Sequence, residues 1–330
     1  MRLTIFTLIL TIAATTSCIQ KAGYRQCDGA VWNTTFHIKY NSLVDLSDSI
    51  HLIMRQVELS LSPFCDSSTI SRINRNESMA TDNMLRQVFT VSQEVSAKSE
   101  GAFDPTVAPL VNIWGFGYRN SNTEPTRQLI DSTLPLVGIR DCYLDGNTII
   151  KKHPRTEFNF SAISKGFGCD LIGEMLKRNN CYDFMIEIGG EIVTAGMNQS
   201  GEKWKIMIDA PINNDSTVTH SRLAIINTGN CGIATSGNYR NYKSTDRGKI
   251  GHTISPITGY PVETLTLSVT VIAPTAMKAD ALATACMALP LDKAISLIEN
   301  ESETEAFFVT IDRDSNKWKI ITTNCFPAMR

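Results

Sequence analysis

The sequence lacks the cysteine and histidine spacings that are typical of a zinc site. Its nine cysteines include no CxxC pair, and they form no cluster with the five histidines at zinc-ligand spacing. The chain also lacks an excess of either charge, because 31 basic and 33 acidic residues leave a net charge of −2. This balance gives no electrostatic reason to expect a nucleic-acid partner.

Long apolar runs, internal repeats, low-complexity tracts and Ser/Pro-rich linkers are also missing from the body of the chain. Without a run of about 20 apolar residues, no internal transmembrane helix is expected. The 330 residues are 42% hydrophobic and 19% charged, which is typical of a globular protein with a sizeable core. We therefore expect residues 18–330 to form a single compact domain.

The first 17 residues have the layout of an export signal. Arg2 supplies a positive charge, an apolar stretch runs from Leu3 to Ala14, and small residues precede Cys18. This end resembles a bacterial lipobox, although Thr15 stands where Leu is usual. We expect a lipoprotein signal peptide over residues 1–17, a lipidated Cys18, and an exported protein that is anchored to a bacterial membrane and faces the periplasm. An ordinary signal peptide and a short membrane anchor are alternatives, and both also export the chain.

Eight cysteines remain if Cys18 carries lipid. In an oxidising compartment they could form disulfides, whose pairing the sequence does not reveal. Three of them stand in apolar or glycine-rich surroundings, which predicts small buried core residues: Cys169, Cys231 and Cys286.

Hydrophobic periodicity predicts a mixture of helices and strands. Helices are expected over Leu46–Leu61, Asp82–Glu100, Thr126–Val137, Ser161–Lys177, Thr275–Leu289 and Lys293–Glu299. Strands are expected over Trp32–Tyr40, Phe184–Ile188, Lys203–Ile208, Leu223–Ile226, Leu267–Ile272, Ala306–Ile311 and Trp318–Thr322, with a hairpin that turns at Asp145-Gly146. Because helices and strands do not alternate regularly, the sequence predicts an α+β fold with a mainly antiparallel sheet.

A first candidate stretch for chemistry, AFDPTVAPLVNIWGFG, is rich in Pro and Gly and is predicted to be a long ordered loop, which starts at Gly101. It holds Asp104 before Pro105, with Trp114 and Phe116 nearby. Such a loop can hold a flat ring system while the carboxylate accepts hydrogen bonds from it. For any single aromatic, packing in a surface loop is the favoured alternative.

A second stretch, NFSAISKGFGCD, runs from Asn159 to Asp170. A strand delivers Asn159, and a helix begins near Ser161, where backbone N–H groups favour phosphate. Lys165, one turn into that helix, could add a positive charge, although a solvated helix residue is the ordinary alternative.

A third region combines Gly232–Tyr242 with Gly248–Val262. Its glycine-rich turns offer backbone donors and hydroxyls around Thr235, Ser236, Tyr239 and Arg240. His252 is expected in a short strand beside them. Its flanking glycine and the following Pro-Gly turn favour a functional role more than for most single histidines.

The fourth stretch, TAMKADALATA, places Asp280 and Thr284 four residues apart, on one face of a helix. A carboxylate and a hydroxyl are hard oxygen ligands that suit Mg²⁺ rather than zinc. Alternatively, Asp280 has a structural ion pair, but Lys278 is two residues away and faces elsewhere. The spacing alone leaves both interpretations open.

Eight short motifs follow one another from Trp32 to the helix after Leu289. They are Trp32-Asn33-Thr34-Thr35-Phe36, Phe64 through Ser71 to Asn74, Phe103–Leu110, Asn159–Gly166, Gly189-Gly190-Glu191, Ala234–Tyr239, His252–Pro261 and Asp280–Ala285. In this order they resemble the ApbE-like family of flavin transferases. The resemblance covers nearly all of the chain that follows the export signal.

The resemblance implies binding of FAD and Mg²⁺, and transfer of the FMN half of FAD to a Thr or Ser hydroxyl of another protein with release of AMP. The implied acceptors are subunits of membrane redox complexes. The implied metal ligands are Asp280, Thr284 and the main-chain carbonyl of Ala162. The implied FAD contacts are Trp32, Phe64, Ala102, Phe103, Asp104, Asn159, Lys165 and Ile254. His252 would lie near the phosphates, where it would either deprotonate the acceptor hydroxyl or orient the diphosphate, and Lys165 would neutralise the departing phosphate.

Three positions depart from the family pattern. Asn159 and Ser255 stand where the family usually has Asp, and Trp32-Asn33 replaces Met-Gly. Two alternative functions therefore stay open. One is a Mg²⁺-dependent FAD pyrophosphatase, which forms FMN and AMP with water as the acceptor. The other is a flavin-binding lipoprotein without turnover.

Overall fold

The structure is a computed structural model that describes residues 23–327, except 120, 122–123, 212–220, 239–241, 246–247, 313 and 316. The expected signal peptide and Cys18 lie outside the described residues. Within the described part, no helix combines the length and apolar character needed to cross a membrane.

The described residues form α-helices and β-strands in a mixed order. The helices are α1 (Ser47–Leu61), α2 (Thr69–Asn74), α3 (Asn83–Lys98), α4 (Ala108–Ile113), α5 (Arg127–Thr133), α6 (Ser164–Arg178), α7 (Ala276–Ala288) and α8 (Leu291–Glu299). The strands are β1 (Gly23–Val31), β2 (Thr34–Ser42), β3 (Tyr143–Asp145), β4 (Thr148–Ile150), β5 (Phe184–Ile188), β6 (Glu191–Ala195), β7 (Trp204–Asp209), β8 (Arg222–Thr228), β9 (Cys231–Gly237), β10 (Tyr242–Thr245), β11 (Gly248–Gly251), β12 (Thr266–Ala273), β13 (Glu305–Ile311) and β14 (Trp318–Thr322).

Eight of these strands form one sheet in the order β1-β2-β5-β6-β9-β12-β13-β14. Every neighbouring pair in it is antiparallel, which confirms the predicted α+β class. On one face of the sheet, α6 packs against β5 and β6, and α7 packs against β9 and β12. Outside these two helices lie α1, which contacts α6, and α3, which contacts α7.

The opposite face of the sheet is covered near its centre by the β7–β8 hairpin. Ile206 and Ile226 of this hairpin pack with Ile233, Phe307 and Val309 of the main sheet. Burial of both faces explains why β13 is apolar without alternation, because a strand that is covered on both sides has no polar side.

Three predictions about the elements need correction. Gly101–Gly117 is not a continuous loop, because a 3₁₀ turn over Pro105–Val107 leads directly into α4. The glycine-rich segment that starts at Gly232 is a central strand, β9, rather than a set of turns. The strand β1 has no counterpart in the predicted elements, because it lies at the edge of the sheet and is mostly exposed, so its sequence shows no alternation.

The structure also shows the state of the cysteines, which the sequence leaves open. The eight cysteines from Cys27 to Cys325 are all free thiols. Cys169 and Cys286 are buried core residues as predicted, whereas Cys231 is only half-buried.

Candidate active site

Two of the candidate stretches meet where α6 begins. No strand delivers Asn159, which corrects the sequence-based expectation: Asn159 lies in an irregular segment between β4 and α6. Its N–H donates to the carbonyl of Pro105 (2.8 Å), which joins this segment to the loop of Asp104. The Asn159 side-chain oxygen accepts from the N–H of Ser161 (2.9 Å) and so shapes the turn into the helix. The helix itself starts at Ser164, three residues later than the sequence suggests.

Asp280 lies directly against the first turn of α6. Its side chain is 3% exposed, and its Oδ2 accepts the Gly166 N–H at 3.2 Å. That N–H therefore turns toward Asp280 rather than toward the carbonyl of Ala162, four residues earlier. One turn further along α7, the hydroxyl of Thr284 lies 3.3 Å from the hydroxyl of Ser236 on β9. The structure thus brings Ala162, Asp280 and Thr284 to neighbouring elements.

Lys165 lies in a buried cluster of charges. Its ammonium contacts the Glu191 carboxylate at 3.1 Å, and it interacts electrostatically with Asp280. Burial disfavours the charged amine, but the two carboxylates outweigh burial and raise the pKa of Lys165. Lys165 therefore pairs with protein carboxylates and is not the solvated helix residue that the sequence allowed as an alternative.

The same cluster holds two acidic groups and one basic group. Burial raises the pKa of both Asp280 and Glu191, and Lys165 only partly opposes this rise. The second oxygen of Glu191, Oε2, is buried without a hydrogen-bond partner among the described residues. Two carboxylates that share one ammonium leave room for a further positive charge.

The donor set beside this cluster fits Mg²⁺. Asp280 uses one oxygen for Gly166, and its other oxygen, the hydroxyl of Thr284 and the carbonyl of Ala162 are hard ligands. No group of three or more His, Cys, Asp or Glu side chains suited to a metal occurs within the described part of the chain. The predicted Mg²⁺ ligands include only one carboxylate, that of Asp280, so they would not form such a group. Mg²⁺ commonly keeps several waters and needs few protein ligands.

His252 follows β11 directly and is not part of a strand, which corrects the sequence-based expectation. Its ring lies 6.5 Å from that of Phe116 in an edge-on arrangement. The next residue, Thr253, donates to the side-chain oxygen of Asn238 at 2.7 Å, which ties this segment to the end of β9. The Trp114 indole N–H donates to the carbonyl of Gly259 (2.8 Å), so the His252 segment packs on the Asp104 loop region.

The predicted FAD contacts differ in what they can offer a ligand. Asp104 is buried, and its oxygens accept from the N–H and hydroxyl of Thr106 and from the N–H of Ile139, so the carboxylate holds its own loop. Burial raises its pKa, against these hydrogen bonds. Three further side chains are buried in the core, which leaves mainly their backbone for a ligand: Ala102, Phe103 and Ile254.

Phe64 and Trp32 are the predicted contacts with accessible aromatic rings. Phe64 is 58% exposed, and its ring meets that of Tyr118 edge-on at 6.1 Å between centroids. Trp32 is half-buried over Gly168 of α6, three residues after Lys165. The Trp32 indole nitrogen is buried without a hydrogen-bond partner among the described residues, which leaves a donor for a ligand.

Comparisons with known proteins identify the family of this chain. The model of the ApbE family matches residues 32–308. This chain belongs to the ApbE family. It is 34% identical to a protein of Haemophilus influenzae named FAD:protein FMN transferase, over 96% of this chain and 95% of that one.

Solved structures of the ApbE family share the fold. The flavin transferase ApbE from Vibrio cholerae superposes with a TM-score of 0.82 at 30% identity, over 92% of this chain and 98% of that one. The flavinyl transferase ApbE from Pseudomonas stutzeri, in its apo form, gives a TM-score of 0.81 at 29% identity, over 93% and 96% of the two chains.

Two acidic residues of this ApbE-family site had no role assigned from the sequence. Glu191 stands in the quoted Gly189-Gly190-Glu191 motif, and an acid at the start of an apolar strand is the signal that could have identified it. Asp170, on α6, accepts hydrogen bonds from two backbone N–H groups of α7. Its partners are more than 100 residues away, so no local pattern reveals them.

Proposed function

We propose that this chain is an FAD:protein FMN transferase that depends on Mg²⁺. It transfers the FMN moiety of FAD to a Thr or Ser hydroxyl of an acceptor protein and releases AMP. The cluster of Lys165, Glu191 and Asp280 at the start of α6 carries this proposal. It offers an ammonium group for the diphosphate, and the Oε2 atom of Glu191 has no hydrogen-bond partner among the described residues, so a further cation could be held there. The names of the curated relatives support the same reaction.

The reaction exchanges one bond to phosphorus for another. The acceptor oxygen bonds to the FMN-side phosphorus, and the bond from that phosphorus to the AMP phosphate oxygen breaks. The proposed role of Lys165 is to neutralise the charge on the departing AMP. Mg²⁺, when bound by Asp280, Thr284 and Ala162, would supply further positive charge for the same purpose.

The proton of the acceptor hydroxyl needs a base, and His252 is the proposed one. Thr253 and Asn238 fix the backbone beside it, and Phe116 borders its ring. A positioned base typically contributes about 10²–10⁴-fold to the rate. We propose the exposed ring of Phe64 and the indole N–H of Trp32 as contacts for FAD.

We also propose an exported, lipid-anchored protein that faces the periplasm, whose acceptors are subunits of membrane redox complexes. The layout of residues 1–17, with small residues before Cys18, supports the export. No nucleic-acid partner is proposed, since the net charge is −2.

The decisive experiment incubates the purified protein with FAD, Mg²⁺ and a candidate acceptor subunit, and measures the intact mass of the acceptor together with free FMN and AMP. Transfer predicts a gain of one FMN per acceptor and an equal amount of AMP. Free FMN with AMP and no gain in acceptor mass would show hydrolysis instead. Unchanged FAD would refute both enzymatic reactions. An acceptor whose target Thr is replaced by Ala serves as the control.

A further inference from the structure

Helices α6 and α7 cap each other at their N-termini. The first turn of any helix leaves backbone N–H groups without helical partners. In α6, the Gly166 N–H donates to Asp280 of α7. Ile163, the residue directly before the helix, provides no side-chain hydrogen bond to this end. In α7, the N–H groups of Ala276 and Met277 donate to the two carboxylate oxygens of Asp170 on α6 (2.9 and 2.8 Å).

The two contacts are spaced alike along both helices. Asp170 lies four residues after Gly166 on α6, and Asp280 lies four residues after Ala276 on α7. On each helix, the acid is therefore one turn beyond the N–H that donates to the acid of the other helix. Each carboxylate also faces the positive end of the other helix, which stabilises it. The remaining first-turn donor of α7, the Lys278 N–H, is taken by the Thr275 hydroxyl.

Close backbone packing makes this arrangement rigid. A Cβ atom on Gly166 would lie 2.2 Å from the carbonyl oxygen of Ala276. On the other side of α7, a Cβ atom on Gly232 of β9 would lie 2.0 Å from the N atom of Ala276. The first turn of α7 is therefore held between two glycines, and Asp170 sets where that turn lies against α6.

We propose that Asp170 is a positioning residue for the metal site, which holds Asp280 and Thr284 in place against Lys165 and Ala162 through the first turn of α7. This inference rests on the proposed Mg²⁺ site. Among the described residues, the hydrogen bonds of Asp170 end at Ala276 and Met277, and neither of these is a proposed metal ligand. Its effect therefore reaches Asp280 only through one turn of helix.

The test compares Asp170→Ala and Asp170→Asn with the unaltered protein and with Glu174→Gln, which removes an exposed acid one turn further along α6. Mg²⁺ affinity is measured without FAD by isothermal titration calorimetry, and thermal unfolding is followed by circular dichroism. Partners that orient metal ligands typically change metal affinity by about 10–100-fold when they are removed. We expect Asp170→Ala to weaken Mg²⁺ binding at least about tenfold, and Glu174→Gln to leave it unchanged.

The Mg²⁺ affinity of Asp170→Asn should lie between those of Asp170→Ala and Glu174→Gln. The amide oxygen still accepts one of the two N–H groups, while the NH₂ group faces the other. It also serves as the test if Asp170→Ala does not fold. Lower melting temperatures with Mg²⁺ affinity within about twofold of the unaltered protein would overturn the proposal, since Asp170 would then only stabilise the fold. If the unaltered protein itself binds no Mg²⁺, the metal part of the proposed function fails and this inference fails with it.

Discussion

At the residue scale, Asp280 shows how one carboxylate can serve two purposes. Its Oδ2 atom caps α6 through Gly166, which leaves Oδ1 for a ligand. The neighbouring lysine, Lys278, does not pair with it, because its ammonium contacts Glu301 at 2.7 Å. The sequence argument that Lys278 faces elsewhere is thus confirmed, and the partners of Asp280 are found on α6 instead.

We expect Asp280→Asn to fold and to lose Mg²⁺-dependent transfer by about 10²-fold or more, since an amide can still accept the Gly166 N–H but carries no charge for the metal. The measurement is AMP release against Mg²⁺ concentration, together with thermal unfolding. Asp131→Asn, an exposed acid on α5, is the control. Full activity in Asp280→Asn would refute the metal assignment.

Glu301 provides a prediction about pH. Its buried carboxylate lies between Lys98 and Lys278, each at 2.7 Å, and although burial alone would raise its pKa, these ammonium groups lower it below 4.5. A carboxyl whose pKa is lowered by folding stabilises the protein at pH values above the pKa that it has in the unfolded chain. This contribution disappears as the pH falls through the pKa that it has in the folded protein.

Replacement of Glu301 by Gln should therefore lower the free energy of unfolding by about 1 kcal/mol at pH 7, and by progressively less as the pH falls below 4.5. Urea denaturation at several pH values measures this difference. Glu94→Gln, which removes the exposed partner of the same Lys98, should change it less. A difference that stays constant down to pH 3 would contradict the argument.

At the element scale, the long amphipathic helices were predictable from the sequence, and irregular elements were not. The helices α1 and α3 follow their apolar stripes to within two residues at each end. The central strand β9 was mistaken for turns because of its glycines, and Gly232 is there to admit the first turn of α7. The sequence also predicts that Asp280 and Thr284 share one face of a helix, whereas the contact of Lys165 with Glu191 depends on distant pairing.

The role of Gly232 gives an element-scale prediction. Since a Cβ atom would meet backbone atoms of α7 at 2.0 Å, Gly232→Ala must shift the helix or the strand. We expect a loss of at least about 2 kcal/mol in the free energy of unfolding, measured with urea. Gly229→Ala, where nothing lies within 4 Å, is the matched control. Equal stability of the two variants would show that α7 is less tightly held than described.

At the scale of the whole molecule, one large antiparallel sheet carries the site on its helical face. The β7–β8 hairpin covers the other face near its centre, and α6 and α7, which carry Lys165 and Asp280, pack on the first face. Export by the N-terminal segment would place this side where acceptor subunits of membrane complexes can reach it.

The lipid anchor is testable in cells. Cys18→Ser should move the protein from the membrane fraction to the soluble fraction of the cell envelope, because no thiol is left to carry lipid. Fractionation followed by immunoblotting measures this, with Cys65→Ser as the control. Retention in the membrane would favour the alternative of an uncleaved N-terminal anchor.

The mutual capping of α6 and α7 also has a consequence for how the protein reaches its native state. The N–H groups of Gly166, Ala276 and Met277 find their acceptors on the other helix, so the two helix ends should order in one cooperative step. The amides of Gly166, Ala276 and Met277 should then exchange with solvent deuterium at a common rate, although Gly166 is more than 100 residues from the other two in the chain. The charged groups of Lys165 and Asp280 would come together in that same step.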